Sequence, residues 1–372
     1  MQVSPLTALF LDAVAVDAPS LQESPMGAFV RRALTGTPVQ IVEDNAGKSI
    51  GGTCGNLICI PATYIPGRPA VGLFAHLDTP GTTAGVRPML AEDRITSDGS
   101  TILGVDNRAG VSVLLDLLRN HAGSSGMGNF IVVFSVAEEL GMLGAKQLDL
   151  SPYNVQMGFV FDCSKRPGTF IQSAVGCSLY TALFRGRASH AGVAPEKGIS
   201  AIHVAAKALS RIPMGRLAPQ MTSNAGTITG GSATNVVAER CSIEGEVRSF
   251  DPRAIEDHLG FLERTFRSVA EEHGARLEMQ TAVDFAPFVI SEEAGVFSRT
   301  VEAMHGVGLD PHPIEYLGGS DANTLNAKGI PTANLGIGAQ NPHGNDEFIL
   351  LEDLRKTAEI AAWLVRKDGA HA

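Results

Sequence analysis

Residues 130–139, FIVVFSVAEE, indicate the fold class, because eight uncharged and mostly apolar residues are followed at once by two glutamates. An apolar run of this length is typical of a strand that is buried on both faces of a parallel sheet. VGLFAHLD (71–78) and GFVFD (158–162) have the same form. Helical patterns over residues 109–120 and 142–148 separate these runs. We therefore predict an α/β domain with a mostly parallel sheet and helices on both faces.

Residues 178–287 follow a different pattern, in which polar and apolar residues alternate along the strands. A long helix begins at Asp251 and Pro252, a favourable N-cap and first-turn pair, and ends at Gly274. A second, shorter helix precedes it, and the predicted strands are residues 179–185, 227–229, 241–247 and 277–283. The resulting order, βαββαβ, is that of a ferredoxin-like module.

After residue 287 the α/β pattern resumes, with a strand at 332–336 and helices at 292–305, 321–328 and 351–367. We therefore predict one outer α/β domain in two parts, residues 1–177 and 288–372. The ferredoxin-like module, residues 178–287, is inserted between these parts.

Composition excludes several classes of protein. A chain of 372 residues with 44% hydrophobic residues can bury a core in each of two domains. Its net charge of −10 disfavours nucleic acid and anionic membrane surfaces as partners. The five cysteines include no CxxC pair, so neither a zinc finger nor a disulfide scaffold is indicated. The amino-terminal residues lack the basic start of a signal peptide, and the longest apolar run is too short to span a bilayer. We expect a cytoplasmic protein.

Acidic and histidine residues follow the ends of the predicted strands. The open side of an α/β sheet, beyond the carboxyl ends of its strands, is where such proteins place their sites. We expect the following side chains to meet there: His76 and Asp78 after the first run, Glu138 and Glu139 after the second, Asp162 after the third, His343 after the strand at 332–336, and Asp106 at the start of a helix.

So many carboxylates would repel one another if they were buried without a counter-charge. Imidazole nitrogen together with carboxylate oxygen is a zinc-type ligand set. Five of these residues, His76, Asp106, Glu139, Asp162 and His343, offer enough donors for two metal ions that share one carboxylate. A pair of metal ions is a known device for hydrolysis.

The segments HLDT, ILGVDNRAG, AEELGMLGAK, the region of Asp162 and NPHGNDEF occur in an order that resembles one metallopeptidase family. This family includes peptidase T, carboxypeptidase G, acetylornithine deacetylase and succinyl-diaminopimelate desuccinylase. The resemblance covers nearly the whole chain, including GRASHAG in the inserted module, and LGVDNRAG, GGSDAN and NPHGNDEF are most similar to the peptidase T members.

The resemblance implies two Zn²⁺ ions per subunit, for which Co²⁺ or Mn²⁺ are alternatives. Asp106 would bridge the two ions. His76 and Asp162 would complete one site, and Glu139 and His343 would complete the other.

The resemblance also implies roles for residues that are not ligands. Asp78 would hold the ring of His76, and Glu138 would be the general base. In the inserted module His190, Asn235 and Arg248 match substrate-contacting positions, with His190 acting across a dimer interface. For Arg248 the alternative is a solvated pair across neighbouring strands, and a similar structural role is the alternative for Asn235. For His190 the alternative is a plain surface histidine.

Asn107 is a departure from the family, since the closest relatives often carry a second aspartate there. The family places a cis peptide bond after the bridging aspartate, which implies a cis bond between Asp106 and Asn107. The side chain of Asn107 is not a ligand in the resemblance.

The resemblance implies an exopeptidase that cleaves the N-terminal peptide bond of short peptides, most like a tripeptide aminopeptidase. The inserted module would be a lid and would form a homodimer. A dipeptidase, a carboxypeptidase or an N-acyl amino acid deacylase would use the same metal site. A metal-binding scaffold without catalysis is a more remote alternative, which the presence of Glu138 disfavours.

Overall fold

The structure is a computed structural model that describes residues 3–367, so residues 1–2 and 368–372 of the predicted outer domain lie outside it. The strands in chain order are β1 Val39–Glu43, β2 Leu57–Pro61, β3 Ala70–His76, β4 Met89–Leu90, β5 Arg94–Thr96, β6 Phe130–Ser135, β7 Val155–Cys163, β8 Thr169–Ala174, β9 Gly176–Arg185, β10 Gly215–Ala218, β11 Met221–Gly230, β12 Arg240–Ser249, β13 Arg276–Phe285, β14 Phe288–Val289, β15 His312–Tyr316, β16 Thr332–Gly336 and β17 Phe348–Leu350. The α-helices are α1 Pro5–Val14, α2 Ser24–Ala33, α3 Ala46–Ile50, α4 Val105–His121, α5 Leu143–Gln147, α6 Ala201–Leu209, α7 Pro252–Glu272, α8 Gly295–Gly306, α9 Asp321–Ala327 and α10 Leu351–Leu364.

The chain forms two compact units. The outer unit comprises the chain up to Ser173, Val289–Glu315 and the chain from Ser320 onward. The inserted unit comprises Ala174–Phe288 and a short return of the chain, Tyr316–Gly319, which the sequence did not predict.

The outer unit is built on a mixed sheet with the strand order β1-β2-β6-β3-β7-β16-β8-β14, and β15 pairs with β8. The four central strands, β6, β3, β7 and β16, are parallel, whereas β1, β2 and β8 run antiparallel to their neighbours. Helices α1, α4, α8 and α10 pack against one another as one group. Helices α3, α5 and α9 pack against one another as a second group. The predicted α/β fold with a mostly parallel central sheet is confirmed.

Burial explains why the central strands could be found from sequence. Every residue of β6 and β16 is buried. A strand covered on both faces must be apolar throughout, which is the pattern that residues 130–136 present. The outer unit also carries a small antiparallel sheet, β17-β5-β4, which joins the residues after His343 to the segment before α4.

The inserted unit is an antiparallel sheet with the order β10-β11-β12-β9-β13. Without the edge strand β10 this is the ferredoxin-like arrangement, and α6 and α7 pack against the sheet over one hydrophobic core. Asp251 caps α7 by accepting a hydrogen bond from the N–H of Arg253 at 2.9 Å, as predicted. Strand β11 is longer than the predicted 227–229, since residues such as Thr222 and Asn224 also pair with β12. These residues are polar and show no apolar pattern, so the sequence did not indicate that they form a strand.

Candidate metal centre

The parallel strands bring the predicted residues to one edge of the outer unit's sheet. Strand β3 ends at His76, and this residue lies level with Ser135, the last residue of β6. Beyond Ser135 the chain turns sharply at Ala137, whose φ of 50° is in the left-handed region, and then presents Glu138 and Glu139. Strand β7 carries Asp162 near its carboxyl end.

Asp106 lies between two histidines. Its Oδ1 is 3.0 Å from Nε2 of His76, and its Oδ2 is 3.4 Å from Nε2 of His343. On the first side, Nε2 of His76 is also 3.2 Å from Oδ1 of Asp162. On the second side, Nε2 of His343 is 3.5 Å from Oε1 of Glu139. The structure thus brings all five predicted ligands into one cluster, with one oxygen of Asp106 turned to each half.

The cluster is chemically suited to hold a metal ion. Ligand atoms of His76, Asp106 and Glu139 lie within 4.8 Å of one another. Oε1 of Glu139 is buried and accepts no hydrogen bond, which is costly unless a cation satisfies it. Nitrogen and carboxylate oxygen donors are those that zinc-type ions prefer. The residues present therefore fit a metal site.

The electrostatics of the cluster indicate an excess of negative charge. Burial and the charge of Asp106 raise the pKa of Glu139 to about 8 and that of Asp162 to about 6. Burial and the charge of Asp162 raise the pKa of Glu138 well above its ordinary value. Burial would also raise the pKa of Asp106, but its hydrogen bonds to His343 and His76 outweigh burial and lower it. The two histidines outweigh burial at Asp106, whereas burial and repulsion between carboxylates outweigh the histidines at Glu139 and Asp162.

Asp78 contacts His76, as the sequence predicted, and has three further hydrogen-bond partners. Its Oδ1 is 3.3 Å from Nδ1 of His76, as expected of a residue that orients the ring. Asp78 also accepts hydrogen bonds from the backbone N–H groups of Glu138 at 3.1 Å and Glu139 at 3.2 Å, and from the hydroxyl of Ser20 at 2.7 Å. One buried carboxylate therefore ties the β3 end to the turn after β6.

The sequence did not predict the contacts of two residues near the cluster, Glu23 and Asn107. Glu23 is fully buried and accepts the N–H of Ala137 at 3.0 Å, so carboxylates bind three successive N–H groups of the turn at 137–139. No local pattern marks Glu23, because its partner is more than a hundred residues away. Asn107 donates from Nδ2 to Oδ1 of Asp162 at 3.2 Å, and its peptide bond with Asp106 is cis, as the resemblance implied.

The three predicted substrate-binding residues lie in the inserted unit. Nδ1 of the exposed His190 accepts the N–H groups of Gly192 and Val193 at 3.1 and 3.2 Å, which places the proton of the neutral ring on Nε2. The N–H of Ala191 donates to the carbonyl oxygen of Asn235 at 2.9 Å, so these two candidates occupy adjacent loops.

Arg248 is not free in this structure. Its guanidinium makes two hydrogen bonds to the carboxylate of Glu246 on the same strand, at 2.8 and 2.9 Å. The alternative predicted from sequence was a pair across neighbouring strands, whereas the observed partner lies two residues away on the same strand. Any ligand of Arg248 would compete with Glu246.

Residues 89–171 match the M42 glutamyl aminopeptidase family, and residues 173–276 match the peptidase dimerisation domain of the M20 family. A sheet and site of this kind are those of a metallopeptidase.

The chain is 32% identical to the uncharacterized protein YqjE of Bacillus subtilis, over 96% of each chain. It is also 32% identical to the aminopeptidase PepT of Bacillus cereus, with a TM-score of 0.85 and 98% of each chain covered. A tripeptidase of Staphylococcus aureus is 30% identical, with a TM-score of 0.88 and 98% of each chain covered. The chain belongs to the M20 metallopeptidase family, as a peptidase T-like member.

Within residues 3–367, none of the helices combines the length and the apolar character that crossing a membrane requires.

Proposed function

We propose that the protein is a metal-dependent aminopeptidase that removes the N-terminal residue of tripeptides. The proposal is based on the position of Asp106. One of its oxygens lies on the side of His76 and Asp162, and the other lies on the side of Glu139 and His343. A carboxylate so placed can serve two metal ions at once. The substrate class is supported by the aminopeptidase and the tripeptidase to which the chain is similar over nearly its full length.

The five clustered residues would hold two Zn²⁺ ions, with His76 and Asp162 at one site, Glu139 and His343 at the other, and Asp106 shared. The mixed nitrogen and oxygen donors support zinc over magnesium or calcium, and Co²⁺ or Mn²⁺ could replace it. When bound, two such ions lower the pKa of a water molecule and polarise the scissile carbonyl.

Glu138 would be the general base. Its position is fixed through its backbone N–H, which donates to Asp78, so its side chain is left for chemistry. Without metal, burial and the charge of Asp162 raise the pKa of Glu138 well above its ordinary value. Two bound cations beside it would favour the ionised carboxylate that a base requires. Glu138 would take a proton from the attacking water and deliver it to the leaving amine.

The inserted unit would contribute substrate contacts and the dimer. The match of residues 173–276 to a peptidase dimerisation domain supports a homodimer formed through this unit. Nε2–H of His190 is turned away from its own loop's hydrogen bonds and could donate to a developing oxyanion. Asn235 on the adjacent loop, and Arg248 once it leaves Glu246, would contact the peptide. The five cysteines are buried and unpaired, which supports a cytoplasmic, reducing location.

The experiment is a substrate panel on the zinc-loaded protein. We expect rapid release of the first residue from trialanine, and little or no cleavage of N-acetyl-trialanine, dialanine or N-acetyl-alanine. Cleavage of the blocked tripeptide alone would contradict an aminopeptidase and favour a carboxypeptidase, and cleavage of N-acetyl-alanine alone would favour a deacylase. Full zinc content without any cleavage would support the scaffold alternative.

A further inference from the structure

Glu347 is a buried carboxylate that none of the roles above uses. Only 1% of its surface is exposed, and it lies four residues after His343. Its Oε2 accepts the N–H of Gly104 at 2.6 Å, and its Oε1 accepts the N–H of Asp106 at 3.2 Å. One side chain from the segment of His343 thus binds the backbone that carries Asp106.

The backbone on both sides of this contact departs from regular helix and strand geometry. Gly104, at the start of α4, has a φ of 78°, and no side chain of its own caps the helix. Asp106 has φ and ψ of −83° and 104°, which are not helical. On the other side, Asn341 and His343 both have positive φ, at 53° and 66°. Glu347 therefore links two segments whose backbone is neither regular helix nor regular strand.

The placement of Glu347 is otherwise unfavourable. A buried carboxylate close to the carboxylate of Asp106 is repelled by it and loses its hydration. Glutamine or a smaller polar residue would cap a helix start without this charge. Only a carboxylate offers two acceptor oxygens that can bind two N–H donors of the same loop at once.

We infer that Glu347 is a positioning residue of the metal centre, which fixes the separation of Asp106 and His343 by holding residues 104–106 against the segment that leads into β17. The inference rests on the proposed function, in which Asp106 and His343 are ligands. Because Asp106 is the shared ligand, an error in its position affects both metal ions, including the one that His343 does not bind.

The test is the substitution Glu347→Gln with zinc affinity as the readout. Glutamine keeps the volume and one acceptor oxygen, but its NH₂ group faces an N–H donor and the loop loses a hydrogen bond. Zn²⁺ binding to the metal-free protein is measured by competition with a chromophoric chelator. We expect about 10–100-fold weaker binding of both ions, as is found when an outer partner of a metal ligand is lost.

Asp251→Ala is the matched control, because it removes another carboxylate that accepts a backbone N–H at a helix start, in the inserted unit. The control should lower the melting temperature and leave zinc affinity unchanged. Wild-type zinc affinity in Glu347→Gln, with a lowered melting temperature only, would overturn the inference and leave Glu347 as a helix cap.

If Glu347→Gln does not fold, Glu347→Asp replaces it. This variant keeps the charge but is too short to reach both N–H groups, and weaker binding of both ions is again expected, whereas wild-type affinity would overturn the inference. If the wild-type protein itself bound no zinc, the proposed function would be overturned. If the wild type bound zinc and the Glu347 variant kept the same affinity, only the inference about Glu347 would be overturned.

Discussion

Replacing Glu138 by glutamine should remove most of the turnover while the metal centre stays loaded. The side chain of Glu138 is not among the proposed ligands, and the hydrogen bond that fixes its position comes from its backbone N–H to Asp78. That bond does not depend on the side chain, so the ligands Glu139 and His76 should keep their geometry. We therefore expect zinc content close to that of the wild type.

The magnitude follows from the role. A positioned general base contributes about 10²–10⁴-fold to the rate, which corresponds to about 3–5 kcal/mol of the barrier. The loss should appear in kcat, because the base acts on the proton of the attacking water and not on substrate binding. KM for trialanine should change little.

The thermal stability of the metal-free protein gives a second test of the environment of Glu138. Burial and Asp162 raise the pKa of Glu138 in the folded state, so the folded protein binds this proton more tightly than the unfolded chain does. Stability is therefore lost as the pH rises from the ordinary carboxylate pKa through the raised one. Glutamine does not titrate, and metal-free Glu138→Gln should melt at a higher temperature than the wild type at pH 8.

The assay combines initial rates on trialanine, zinc content of the purified protein and thermal melting of the metal-free form. Glu139→Gln is the control, since it alters a proposed ligand and should lower zinc content as well as turnover. Wild-type kcat in Glu138→Gln, at full zinc content, would refute the assignment of Glu138 as the base.

Three further predictions follow from the contacts around the centre. Asp78→Asn should weaken zinc binding about 10–100-fold, because it disturbs both His76 and the turn that carries Glu139, and chelator competition measures this. Gly110→Ala should destabilise the fold by about 1–3 kcal/mol in denaturant unfolding, because its Cβ would lie 2.3 Å from Oδ1 of Asn107 and 2.5 Å from the carbonyl oxygen of Phe161. An unchanged midpoint would show that the site can relax. Removing metal with a chelator should lower the melting temperature, because a bound ion stabilises only the folded state, and adding Zn²⁺ back should restore it; a melting temperature that does not respond would argue against a metal centre in this cluster.

The sequence predicted the central strands to within a few residues. Strand β16, residues 332–336, matches its prediction, and β6 differs by one residue at its end. Both strands are buried on both faces, and nearly every side chain of such a strand is therefore apolar. The cluster of candidate ligands was predictable for a related reason, because polar residues directly after buried strands must lie at one edge of a parallel sheet.

Other elements of the fold were not predicted from the sequence. The sequence predicted none of the elements before β3, although β2 lies next to β6 in the sheet. Strand β10 and much of β11 are exposed and have no apolar alternation, so their pairing with neighbouring strands could not be predicted from their own residues.

The amino-acid sequence was sufficient to identify the buried apolar strands and the polar residues at their ends, because polarity is a property of each side chain and its near neighbours. Only the tertiary structure decided the partners of Glu23, Asp78 and Glu347. Each of these carboxylates binds backbone N–H groups that lie 60 or more residues away along the chain. Every residue except proline has such an N–H, so nothing in the sequence distinguishes the ones that are bound.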